Sequence, residues 1–151
     1  EIREKINKEH GTDNIWEVKQ ARGGLQDAEF ICQYLQLLHG HNYPEVFGKN
    51  LNKSFGNLLK TGSLSTEEVN GLIAAHEFQL TIQGILRLCY KGEPKLEDFS
   101  QELRSIVMNS VRSKSIPSLV NQLEESQRLV YAIYKDVIEI PAQSLLKAKE
   151  I

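Results

Sequence analysis

Apolar residues recur along this chain at three- and four-residue intervals far more often than at alternate positions, which is the period of helices and not of strands. Leu25, Ala28, Phe30, Ile31, Cys32, Tyr34, Leu35, Leu37 and Leu38 predict a helix from Leu25 to His39, closed by Gly40. Residues 41–50 read as a loop with at most one helical turn, and Leu51, Phe55, Leu58 and Leu59 then mark a short helix stopped at Gly62. Ser65 followed by Glu68 is a capping-box pair, with Leu64 and Val69 placed as a hydrophobic staple, so a helix is expected from there to Tyr90. Its apolar residues fall on more than one face, which predicts a central helix surrounded by others.

Past Gly92 and Pro94, Leu96, Phe99, Leu103, Ile106, Val107 and Val111 form another amphipathic segment. Ser115 and Pro117 have the order of a cap and an early-turn proline. They open a long helix through Leu119, Val120, Leu123, Leu129, Val130, Ile133, Tyr134, Val137 and Ile138, which Pro141 interrupts before a short last segment. At the amino end, residues 1–9 could be the tail of a helix, residues 11–14 break it, and the piece from Ile15 to Lys19 is extended or irregular. The expected fold class is all-α, an irregular bundle of five to six helices. One domain, 1–151, is expected: a connecting segment and Gly-Gly turn over 1–24, the bundle over 25–140, and a tail or short helix over 141–151.

Composition narrows the function classes. With 151 residues and 40% hydrophobic residues the chain can form one core. Four prolines and ten glycines are few for an all-β protein. The net charge of −2 comes from acids and bases spread along the chain, so no basic face argues for nucleic acid or an anionic membrane. Cys32 and Cys89 lie far apart in apolar helical runs without metal-ligand spacing, and read as reduced core thiols, which fits the cytoplasm. No apolar run approaches the roughly 18 residues of a membrane span, and the first residues are too polar for a signal peptide. The sequence opens on Glu1, and Met108 is its one methionine, so a piece of a longer protein is expected.

The most informative run is WEVKQARGGLQDAEFICQYLQLLHG, residues 16–40. It holds a lysine, a flexible glycine pair and a helix start carrying Asp27 and Glu29. Glycines at a helix start can let backbone amides approach an anion, with Lys19 adding positive charge beside a phosphate. The competing reading gives Gly23 and Gly24 a sharp turn only, with Asp27 and Glu29 complementing the helix dipole.

Lys19, Gly23, Gly24, Leu25, Asp27, Glu29, Phe30 and Gln33 together resemble the signature of the glutamine synthetase adenylyltransferases, and a shorter GGLRD form marks the related uridylyltransferases of the PII signalling protein. The continuation through Glu29, Phe30 and Gln33 points to the adenylyltransferase side. Ala28 and Trp16 depart from the usual pattern at packing positions only. The resemblance is specific over about 25 residues, and beyond Gly40 only helix order and length agree.

The resemblance implies a helical domain that follows a polymerase-β-type nucleotidyltransferase domain, whose paired aspartates hold two metal ions for phosphoryl transfer. The parent it implies transfers AMP from ATP to a tyrosine of glutamine synthetase and removes it when nitrogen is limiting. ATP and Mg2+ would be held in the intact parent, and no metal site and no catalytic residue is expected in this chain, whose one Gly-Ser pair, Gly62 and Ser63, leads into a helix cap. Lys19, Gly23, Gly24, Asp27 and Glu29 become candidates for lining the nucleotide cleft between the two domains. The aspartate at position 27 has more the look of the adenylylating carboxy-terminal half. The implied partners are the upstream nucleotidyltransferase domain, glutamine synthetase and a PII-type protein. The rival expectation is a docking module that binds glutamine synthetase or a PII-type protein and never touches the nucleotide.

Other chemistry-bearing residues have plainer readings. His39 and His41 flank a helix end, where a protonated imidazole complements the dipole without a metal. His76 is expected partly buried and bonded to a neighbouring helix. Ser54, Ser110 and Ser126 have no acid-base partner at a recognisable spacing. Trp16 could stack on an adenine, but beside an extended segment a core anchor is expected. The stripe from Val120 to Val137 belongs inside its own bundle, with Glu124, Glu125, Arg128, Lys135 and Asp136 on the solvated face.

Overall fold

A computed structural model describes residues 12–44, 48 and 50–149. The expectations for residues 1–9 and for most of residues 45–49 lie outside the described residues. Helix α1 runs Leu25–His39, α2 Leu51–Leu58 and α3 Thr66–Cys89. They are followed by α4, Gln101–Ser110, α5, Ile116–Tyr134, and α6, Ile140–Lys149. The described residues contain no strand, only an isolated bridge between Thr12 and Ala21. The all-α irregular bundle is therefore what the chain forms, and no helix among the described residues is long and apolar enough to cross a membrane.

Helix starts follow local chemistry. Ser65 accepts from the Glu68 amide at 3.0 Å while the Glu68 carboxylate accepts from the Ser65 amide at 3.0 Å, so two of the orphan donors of α3 are satisfied reciprocally. Leu64 and Val69 are both buried in one apolar cluster, as a staple requires. Ser115 caps α5 through the Ser118 amide, with Pro117 in the first turn. The amphipathic segment expected over residues 96–111 splits: a single 3-10 turn, Leu96–Asp98, an extended Phe99, and then α4, capped by Ser100 through the Leu103 amide at 3.1 Å.

Pro141 interrupts less than expected. A five-residue π turn, Lys135–Glu139, joins α5 to α6 in one continuous rod, with the Ile140 amide donating to the Lys135 carbonyl. The widened turn loosens the ladder just ahead of a residue that has no amide proton to give.

Helix α3 packs against α1, α2, α4 and α5 and is central in that sense, but it is not surrounded. Its buried residues Val69, Leu72, Ala75, Gln79, Ile82 and Leu86 make one stripe, while Leu88 is 88% and Leu80 48% exposed. Cys32 is buried and Cys89 exposed, so only the first is a core thiol.

The core is divided. One cluster joins α1, α2, the first half of α3 and the end of the α5 rod through residues such as Ile31, Phe55, Leu72 and Val130. The other joins the second half of α3, α4 and the start of α5 to Trp16, Val18 and Leu25. Trp16 is the expected anchor, edge-on to Phe99 at 5.5 Å between centroids. Between the clusters α3 contributes Gln79 and α5 contributes Gln127, both buried polar side chains on otherwise apolar stripes.

Candidate functional site

The Gly-Gly turn lies at that divide. Gly23 has φ +77°, and a Cβ there would stand 1.7 Å from the Gln127 carbonyl oxygen, so only glycine fits on both conformational and steric grounds. A Cβ on Gly24 would stand 2.1 Å from the Val18 carbonyl oxygen. The turn is thus pressed against the backbone of α5 on one side and against the segment that leads into it on the other.

Its amides are all engaged. Gly23 donates to the Asp27 carboxylate at 2.6 Å, Gly24 to Ala21 at 2.8 Å, Leu25 to Val18 at 2.8 Å and Gln26 to Lys19 at 3.1 Å. Main-chain carbonyls and one carboxylate therefore do what a side-chain cap does elsewhere, and α1 has none. Asp27 is fully buried. The four amides have partners inside the segment, so the arrangement offers Lys19, Glu29 and Gln33, all exposed, as the outward-facing members of the signature, the first two being the charged ones.

Lys19 lies in a cleft of about 280 Å³ that also takes in Trp16, Gln83, Arg87, Tyr90 and Pro94. Glu29 acts electrostatically on His76 of α3. His76, Leu80, Gln83 and Arg87 recur at helical spacing on one face of α3, so Lys19 and Glu29 flank the same face about two turns apart. Arg87 and Gln83 were not singled out from sequence; a charged residue at the end of a long helix gives no sign of what it faces.

His76 corrects an expectation. It is partly buried, but its Nδ1 is enclosed without a hydrogen-bond partner among the described residues, and burial lowers its pKa below the usual histidine value against the pull of Glu29 and Glu77. The His39 Nε2 is bonded to the Ser63 hydroxyl. Above the turn, Arg22 lies 5.7 Å from the centre of the Tyr131 ring and Lys135 lies at 5.7 Å too, while the Tyr131 hydroxyl reaches Glu139 at 3.5 Å. Burial, followed by the charge of Glu139, raises the pKa of that phenol.

The family model described as GlnD PII-uridylyltransferase matches residues 1–133. The chain is 32% identical over 138 residues, 91% of its length, to a bifunctional glutamine synthetase adenylyltransferase/adenylyl-removing enzyme of Rhodopseudomonas palustris (strain BisB5). It is 30% identical over 139 residues to the enzyme so described in Bradyrhizobium diazoefficiens, and 27% over 143 residues to that of Xanthobacter autotrophicus. The chain spans 14% of the length of each of these relatives. Similarity thus extends well past the signature around Gly23 and Gly24 to nearly every helix of the bundle, and the chain belongs to the GlnD PII-uridylyltransferase family.

Proposed function

We propose that this chain is the helical domain of a cytoplasmic adenylyltransferase that transfers AMP from ATP to a tyrosine of glutamine synthetase, regulating nitrogen assimilation, and that it is inactive alone. In that reaction the tyrosine oxygen attacks the α-phosphorus, pyrophosphate leaves with its bonding electrons, and the phenolic proton passes to a base. By the resemblance, Mg2+ belongs to the carboxylates of an upstream nucleotidyltransferase domain. This domain's share is to face that cleft. The aspartate form of the signature assigns it to the adenylylating half.

The observation that carries this reading is the division of labour within residues 19–29: Gly23, Gly24 and Asp27 are a buried frame, and Lys19 and Glu29 are held outward on it. A frame with every amide satisfied fixes the lysine through its main-chain carbonyl without using its side chain, and the ammonium remains free to meet a phosphate. The test is Lys19→Met in the intact parent. The rate of AMP transfer at limiting ATP is expected to fall by about tenfold or more at an unchanged melting temperature; wild-type ATP use would remove Lys19 from the cleft.

A docking module for glutamine synthetase or a PII-type protein is the second reading. Leu37 is 83% and Leu38 59% exposed at the end of α1, and Leu145 and Leu146 are more than 60% exposed on α6. Replacing both pairs with serine would cost affinity for glutamine synthetase under that reading and leave it unchanged under the first.

A further inference from the structure

Four polar side chains are buried among the described residues: Asp27, Ser54, Gln79 and Gln127. Two of them, Asp27 and Gln79, bond Gly23 itself, and a third, Gln127, bonds the segment that leads to it. Gln79 of α3 donates from Nε2 to the Gly23 carbonyl at 3.0 Å, and Gln127 of α5 donates from Nε2 to the Ile15 carbonyl at 2.8 Å. The Gln127 main chain is also the surface against which Gly23 is pressed.

Both glutamines stand where an apolar residue would complete a stripe: Ala75, Gln79, Ile82 on α3 and Leu123, Gln127, Val130 on α5. Burying a carboxamide costs free energy that its hydrogen bonds offset only in part, and a leucine at either place would have fused the two apolar clusters. What the helices gain from them is a polar layer that grips the approach segment at Ile15 and the turn at Gly23, one on each side of Lys19 in the sequence. Helix–helix packing alone is non-directional and would leave that segment free to slide, whereas two amide donors on different helices fix it at two points.

We propose that Gln79 and Gln127 are positioning residues: they set the place of the residue 15–26 segment relative to α3 and α5, and through it the place of the Lys19 ammonium in the nucleotide cleft. This rests on the reading of Lys19 given above, so its test separates the two. In the intact parent, Gln79→Met and Gln127→Met keep side-chain length and remove the donors. Native-state amide exchange over residues 18–26 should quicken in both variants while the middle of α3 stays protected. The KM for ATP should rise by about tenfold with a smaller change in kcat, and adding either change to Lys19→Met should cost little more than Lys19→Met alone.

Unchanged exchange over residues 18–26 would overturn the grip whatever Lys19 does. Quickened exchange with a wild-type KM for ATP, or losses that simply add to those of Lys19→Met, would overturn the positioning role. Should Lys19→Met itself leave ATP use untouched, the reading of Lys19 falls. A KM that still rises in the glutamine variants would then support positioning of another group on the segment, and one that does not would overturn it.

Discussion

The Gly23 amide points into the carboxylate of Asp27, four residues further on, and the pair is sealed from solvent. A buried hydrogen bond of this kind is costly to break chiefly because either partner alone would be left in a dry site. Asp27→Ala is expected to lower unfolding free energy by about 2 to 4 kcal/mol, and Asp27→Asn, which keeps an acceptor, by less than half of that. Chemical denaturation of both variants checks the order; equal losses would mean that the acceptor at position 27 contributes nothing.

Glycine substitutions should divide sharply. Gly23→Ala drives a methyl into the Gln127 carbonyl and is expected to cost about 3 kcal/mol or more. Gly84→Ala, on an open face of α3, is expected to stabilise by about 0.5 to 1 kcal/mol. Denaturation midpoints of the two variants should move in opposite directions.

Ser65→Ala removes the acceptor for the Glu68 amide and should cost about 1 kcal/mol. Glu68→Ala, which frees the Ser65 amide at an exposed position, should cost less. A Ser65 variant as stable as the parent sequence would mean that water replaces the cap in full.

His76 sets a pH dependence. Its folded pKa lies below the ordinary value of 6.5, so the neutral form is favoured in the fold and its contribution is present above that value. As pH falls from above 6.5 through the depressed folded value, the unfolded chain takes up the proton first and stability is lost. His76→Gln should flatten the stability profile over that range, and an unchanged slope would assign it to other groups.

Thiol reactivity should separate the cysteines. Burial pushes the Cys32 thiol up to about 11, against a smaller lowering from Ser54, while Cys89 is exposed. At about pH 8, iodoacetamide should alkylate Cys89 quickly and Cys32 only on unfolding. Equal rates in the native protein would contradict the burial of Cys32.

Much of the fold was legible because its signals are local. The bounds of α1 follow from the glycines and the apolar period between them, and the start of α3 from Ser65 and Glu68. The break at Phe99 was hidden because Phe99 and Leu103 are buried in one cluster from extended and helical backbone respectively, and periodicity records burial, not backbone. Leu80, Leu88 and Cys89 misled for a related reason: apolar character does not say which face a long helix turns inward.

The site was legible in part. Lys19, the glycine pair and the two acids could be picked out, but whether the turn's amides were free or spent depended on Val18, Lys19 and Ala21 folding back onto them. Gln79 and Gln127 gave no sign by residue type, since a helical glutamine ordinarily faces water. A reading that paired the two stripes would have caught both, because each occupies the place of a core residue.

The π turn at Lys135–Glu139 also has a consequence for insertions and deletions. Such a turn is an α-helix with one residue too many, so deleting one residue there should restore the regular ladder and leave the faces of everything after it nearly where they were. The family match ends at residue 133, just ahead of it. A single codon lost at this joint would therefore be absorbed without re-aiming Leu145 and Leu146, which makes it the place where the rod tolerates a change of length.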